Sequence, residues 1–332
     1  MAGISGVQDP PQYPVEIRRI DLAPYRESNT GVPYVHSFDS GRPGLHVMVN
    51  ALTHGNEWCG MHVVCRLLDA GLRPRSGRLT LSLANVAACE AAGADGTGSR
   101  FVDRDFNRLW HDDLLAADTQ SVEARRAHAL RPLVATVDRL LDLHSTWHAL
   151  QPFFVLSQLP RVRALADTLA LPRRQLFLPD VWHEGYHLID YGAFRRPDAS
   201  AVGLIAECGQ HFAQSSMDTA WRVTVRFLQV HGLMEPSPAD LAPGAVPAQA
   251  ELEHYEIALP VIAHTDALRL TCSYAGFVHF SKGEVAAFDG DTPVLAPFDG
   301  AVLLAPRPSP RAGQQAFSWG RRVAPLPPRL GG

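Results

Sequence analysis

Short, largely apolar runs occupy residues 45–51, 79–84, 140–143, 153–156 and 202–206. Each is too short for a bilayer span and has a polar residue, glycine or proline within two residues of either end, so each reads as a buried strand. Between them, apolar positions recur at helical spacing over residues 57–70, 121–137, 161–169 and 217–230. Apolar strands alternating with amphipathic helices predict an α/β fold with a sheet covered on both faces. In such sheets ligands collect at the carboxyl ends of the strands.

After His231 the pattern breaks. Residues 236–250 hold four prolines and almost no periodicity, which reads as a linker between an α/β domain over 1–235 and a second unit over 251–332. That second unit carries β-like runs at 255–261, 268–272, 276–280, 285–288, 294–295 and 301–304, punctuated by Gly, Asp and Pro, and predicts a small all-β domain. Residues 295–302 resemble the turn of a biotinyl- or lipoyl-carrying barrel, but no lysine follows to carry the group, which argues against a carrier. The Pro- and Arg-rich tail from Pro306 is expected to be partly irregular.

Composition narrows the function classes. With 332 residues, 46% hydrophobic, the chain can bury one large core and one small one. A formal net charge of −4 provides no basic field for nucleic acid or for an anionic membrane surface. Residues 1–14 lack the basic-then-apolar pattern of a leader and no apolar stretch is long enough to span a bilayer, so the chain is expected in the cytoplasm. Five scattered cysteines without a Cys-x-x-Cys pair argue for reduced thiols rather than disulfides or a thiolate metal site. Cys208 has His211 nearby as a potential base, yet a small apolar residue at a strand end is the better reading.

Candidate chemistry sits where the apolar runs stop. The first run ends in Thr53-His54-Gly55-Asn56-Glu57, and residues three apart at a helix start lie about 5 to 6 Å from each other, so His54 and Glu57 can reach one ion. The third run ends in Asp142-Leu143-His144, offering a further imidazole with a carboxylate two residues away to orient it. Two His and one Glu form a known catalytic zinc set. Glu207 closes the run 202–206, where burying a carboxylate costs on the order of several kcal/mol without a charged partner. It is the candidate general base. A Gly-rich stretch leads into Arg100-Phe101-Val102-Asp103-Arg104-Asp105-Phe106-Asn107-Arg108, whose guanidinium groups suit a substrate carboxylate.

Taken together these segments resemble the succinylglutamate desuccinylase/aspartoacylase family of zinc carboxypeptidase-like amidohydrolases. The likeness covers residues 45–210 in order and approximate spacing, with weaker support in the C-terminal region. It implies a mixed, largely parallel sheet flanked by helices and a smaller C-terminal all-β domain, making 1–235 the catalytic domain. It also implies one Zn2+ per chain on His54, Glu57 and His144, Glu207 as base, and Arg100 polarising the acyl carbonyl. Asn107 and Arg108 would grip the carboxylate of an N-acyl amino acid. The family places another Arg about ten residues before its catalytic Glu, near Arg195 and Arg196 here, and a Tyr in its C-terminal domain, whereas no Tyr follows Tyr274. Bulky residues after His144 and across 180–191, notably Trp147, Trp182 and Tyr186, suggest a wider, aromatic-lined pocket. Alternatives are a metallocarboxypeptidase acting on peptides and a non-catalytic zinc-binding sensor or scaffold. Homo-oligomerisation stays open.

Overall fold

The layering follows from which side of each central strand is apolar. β2 (His46–Ala51) is buried at every position, and β3 (Arg78–Leu83), β4 (Arg139–Thr146) and β7 (Val202–Gln210) are buried nearly throughout. Such strands need cover on both faces. In the computed structural model, which describes residues 11–93, 98–179, 185–235, 251–307 and 309–324, they receive it. Val47, Val49, Leu141, Leu143, Leu204 and Ala206 face one core with α1 (Trp58–Asp69), α5 (Pro160–Leu169) and α6 (Gln214–Val230). Met48, Leu140 and Ile205 face a second core with α4 (Val122–Val134), Phe106 and Trp110.

Eleven strands form one sheet. Starting from the edge strand β1 (Val35–Asp39), the order is β1-β3-β2-β4-β7, and the four strands from β3 to β7 are parallel. β5 (Phe153–Leu156) then adds antiparallel to β7, with β6 (Arg174–Phe177) parallel to β5. The result is the mixed, largely parallel sheet expected of the fold in its N-terminal half.

A C-terminal β domain is present, and its strands continue this sheet. β8 (Glu253–Ile262) pairs parallel with β6, then β14 (Gln315–Val323), β13 (Ala301–Leu304) and β10 (Val278–Phe280) add antiparallel. A separate three-stranded sheet of β9 (Leu268–Leu270), β11 (Val285–Asp289) and β12 (Thr292–Leu295) packs onto it through Leu268, Leu270, Ala287, Phe317 and Trp319. Glu253 accepts from Arg174 Nε at 2.8 Å and also pairs with Arg173, tying the first C-terminal strand to β6.

The tail from Pro306 is partly irregular, as expected, with 315–323 forming a nine-residue strand at the middle of the C-terminal sheet. One expectation is corrected. The first helix begins at Trp58, so His54 and Glu57 lie in the turn before it rather than in its first turn. The linker at 236–250 lies outside the described residues.

Candidate metal centre

The turn after β2 is held in a costly conformation. Leu52, fully buried and β-branch-free but not glycine, has φ 57°, a left-handed value that side chains disfavour. Gly55 follows because a Cβ there would lie 2.2 Å from the Ala88 carbonyl carbon. Its amide donates to Arg100 O at 3.0 Å and its carbonyl accepts from Trp58 Nε1 at 3.0 Å. The turn therefore carries His54 and Glu57 to one spot, clamped by the 100–108 loop and by α1.

His144 arrives from the neighbouring strand. Along β4, Leu140, Asp142 and His144 share a face, and this face meets the turn after β2. Glu57 bridges the two imidazoles: Oε1 lies 2.8 Å from His54 Nδ1, and Oε2 2.9 Å from His144 Nδ1. One donor atom from each residue lies within 4.8 Å of the others, and all three side chains are buried. Each imidazole is backed on its far nitrogen by a carboxylate, His54 Nε2 by Asp105 at 3.1 Å and His144 Nε2 by Asp142 at 2.8 Å. Asp142 is itself fixed by Asn50 Nδ2 and Thr53 Oγ1, each donating to Oδ1 at 2.8 Å.

This arrangement passes a test for a bound cation. Metal-ligating histidines direct one nitrogen inward and give the other to a carboxylate, as both do here. The electrostatics agree. Burial opposes ionisation of Glu57, but His54 and His144 outweigh it and hold the carboxyl well below the ordinary range. Burial also opposes charge on His144, but Asp142 and Glu57 raise its proton affinity well above that of a free imidazole. Three carboxylates around two imidazoles thus draw positive charge to the facing Nδ1 atoms. Two His and one Glu is a donor set that suits zinc at a catalytic site.

Glu207 lies on the next strand over, β7, opposite His144 in the β4–β7 register. It lines the same cavity, and its Oε2 is buried without a hydrogen-bond partner. Burial, with Glu57 and Asp142 nearby and opposed by His144 and Arg100, pushes its pKa up to about 8. Cys208 faces the opposite side of β7, in the core beneath α1 and α6, which removes it from this chemistry.

The 100–108 loop is more ordered than a solvated charged loop. Buried Glu123 on α4 accepts from the amides of Val102, Asp103 and Arg104 at 2.7, 3.0 and 3.1 Å, and from Asn85 Nδ2 at 3.1 Å. Arg100, 42% exposed, donates to Asp105 Oδ2 at 3.0 Å and lies 3.5 Å from Glu57 Oε1. Burial opposes charge on Asp105, but Arg100, His54 and Arg108 keep its carboxyl far below the usual range. Asn107 is buried, its Oδ1 accepting from Leu188 N at 2.8 Å, and lines the cavity beside Arg108.

The cavity over this centre has a volume of about 500 Å³. His54, Glu57, Arg100, Asn107, Arg108, His144, Trp147 and Glu207 all reach it from the sequence-predicted set. Two do not. Tyr186 does not line the cavity, its ring stacking on His111 at 4.6 Å with the Arg195 guanidinium 4.7 Å from its centroid, and Arg196 does not line it either, its carbonyl serving Arg161 instead. Trp182 lies outside the described residues, as does part of the Gly-rich stretch before Ser99. The sequence reading missed Glu123 and an apolar wall of Leu150, Leu176, Leu178 and Ile257, which comes from segments with no chemical signature of their own.

The fold and the donor set together define a mixed α/β protein with a buried His-Glu-His cluster that could hold a metal ion. Residues 43–222, more than half of the chain, match the succinylglutamate desuccinylase/aspartoacylase catalytic domain, and the protein belongs to that family. A succinylglutamate desuccinylase from Chromobacterium violaceum superposes with a TM-score of 0.63 at 21% identity, covering 89% of this chain and 90% of that one. Murine aminoacylase 3 superposes with a TM-score of 0.57 at 18% identity, covering 85% and 96%. At these identities the likeness establishes the fold. Similar curated sequences are N-acyl-aromatic-L-amino acid amidohydrolases (carboxylate-forming) of Rattus norvegicus, 34% identical over 118 residues, and Xenopus laevis, 32% identical over 113. These matches span 32% and 31% of this chain and only 35% of each relative's length. Among the described residues no helix is long and apolar enough to cross a membrane.

Proposed function

We propose that this chain hydrolyses the amide bond of an N-acyl amino acid, releasing a carboxylic acid and an amino acid. The observation that carries the reading is the buried His54-Glu57-His144 cluster, each imidazole backed by a carboxylate, with Glu207 beside it in one cavity. His54, Glu57 and His144 would hold one zinc ion. When bound, zinc supplies Lewis acidity, which acidifies water toward neutrality and polarises a carbonyl.

The remaining work falls to side chains. Glu207 takes a proton from the attacking water and passes it to the departing amine nitrogen. To accept that proton Glu207 must start ionised, which the charge of a cation held by the neighbouring ligands would favour against the burial that raises its pKa. Arg100, oriented by Asp105, places N–H donors where the acyl oxygen gains negative charge. Asn107 retains its side-chain N–H donors once Oδ1 is engaged by Leu188, and with Arg108 it binds the substrate carboxylate. Together they fix which end of the substrate lies over the metal site.

Trp147 and the apolar wall favour a bulky, apolar group over a small charged one, and the names of the rat and frog relatives point the same way. Metal analysis followed by amine-release assays tests both levels. We expect one zinc per chain, loss of zinc in His144→Ala, and faster turnover of N-acetyl-L-phenylalanine than of N-acetyl-L-aspartate. Stoichiometric zinc in His144→Ala would refute the ligand set, and preference for the aspartate derivative would refute the substrate class. Turnover of peptides but of no acylated single amino acid would make the chain a carboxypeptidase.

A further inference from the structure

A second polar pair reaches the same cavity and has no part in the steps above. Ser145, next to His144 on β4, and His211, immediately after β7, are 3% and 4% exposed. Ser145 Oγ and His211 Nδ1 are 2.8 Å apart, and both residues line the cavity. The β4–β7 pairing contains a bulge between His144 and Thr146, with Gly209 at φ 119°, and His211 N donates to Thr146 O at 2.9 Å. Bulges beside active sites commonly re-aim a side chain. Here the bulge is followed by an imidazole seated edge-on to Trp147 and against Phe212, with ring centroids 5.9 and 5.7 Å away.

The proton positions follow from the inventory of partners. The Ser145 hydroxyl makes no other hydrogen bond among the described residues, and leaving its buried O–H without an acceptor would be costly. Donation to His211 Nδ1, 2.8 Å away, supplies that acceptor. In the neutral ring the remaining proton is then on Nε2. That nitrogen has no partner among the described residues and is not sealed in the core, so its N–H is offered to the cavity. A neutral donor adds no charge to a cavity where Arg100 and Arg108 already provide for anionic groups.

We infer that His211 is a substrate-positioning residue whose Nε2–H donates a hydrogen bond to an uncharged carbonyl oxygen of the bound acyl amino acid, with Ser145 fixing the tautomer. The inference rests on the amidohydrolase reading for the identity of its ligand. It is tested on the zinc-loaded full chain with N-acetyl-L-phenylalanine, by steady-state kinetics and by calorimetric binding, on His211→Phe, His211→Gln and Ser145→Ala. Losing one neutral hydrogen bond should raise KM about 5- to 10-fold in His211→Phe, with kcat changing by less than about 3-fold. His211→Gln, which keeps an N–H donor, should recover most of that loss, and Ser145→Ala should raise KM by about 2- to 3-fold. Zinc content should match the wild type in all three. An unchanged KM in His211→Phe, equal impairment in His211→Gln and His211→Phe, or zinc loss in step with activity would each overturn the assignment. If the wild type does not cleave the amide, the amidohydrolase reading fails by itself; the calorimetric affinities then decide His211, equal values in wild type and His211→Phe refuting it.

Discussion

The two walls of the cavity are built on different physical plans. On one side His54, Glu57, Asp105, Asp142 and His144 satisfy one another at 2.8 to 3.1 Å, so each side chain depends on the next. On the other side Leu150, Leu176 and Ile257 meet the ligand space from three separate segments and need only supply apolar volume. The polar wall tolerates almost no substitution, because removing one member leaves a buried partner unpaired. On the proposed function, the apolar wall could change shape while the polar cluster stays in place, and substrate choice is the property that such changes would move.

The sharpest way to break this comparison is Glu207→Gln. If the polar wall carries the chemistry, turnover of an N-acyl amino acid should fall by about 10²- to 10⁴-fold while zinc content and thermal midpoint are kept. Near-normal turnover with zinc bound would mean that the base lies elsewhere. A smaller effect is expected one layer out, at Asp142→Asn, which leaves His144 in place but removes the charge behind it. Zinc affinity, measured by competition with a chelator, should weaken by about 10- to 100-fold. An unaltered affinity would show that the hydrogen bonds from Asn50, Thr53 and His144 to Asp142 serve packing alone.

The mildest test concerns the apolar side. His148, two residues before Leu150 of that wall, is buried, tilted against Tyr274 with ring centroids 4.7 Å apart, and burial pushes its pKa down to about 4. The folded chain keeps this imidazole neutral, whereas the unfolded chain protonates near the ordinary histidine value of about 6.5. The unfolded state therefore binds more protons between these values, and stability rises with pH across that window. The contribution is complete above pH 6.5 and is lost as the pH falls toward 4. Urea denaturation at pH 6.5 and 4.5 should show a smaller drop for His148→Gln than for the wild type; identical drops would mean that His148 titrates normally in the fold.

Much of the polar wall was legible before any coordinates. His54, Glu57, His144 and Glu207 each stand where an apolar run stops, and in a parallel sheet those stops are brought to one edge. The partners that make the site work were less visible. Glu123 reads as an ordinary helix-opening acid, and only the packing of α4 beneath the 100–108 loop puts three backbone amides around it. Tyr186 and Arg196 were placed in the pocket by composition and by approximate spacing, whereas His111 and Arg195 engage the Tyr186 ring and Arg161 on α5 engages the Arg196 carbonyl. Residues 315–323 gave a weak signal because the strand does not alternate: residues 315–320 are all buried, Gln315, Ser318 and Gly320 among them, and Arg321 and Arg322 are exposed.

Local chemistry along the chain determined the central strands, the helices between them and the residues that could bind a cation, because these depend on side-chain type and on periods of 2 and 3.6 residues. Tertiary structure alone decided that Glu57 bridges two imidazoles, that Asp105 stands behind His54, and that Leu176 and Ile257 close the same cavity. Those contacts join segments separated by tens of residues, and their geometry is set by strand order and register, which no local pattern encodes.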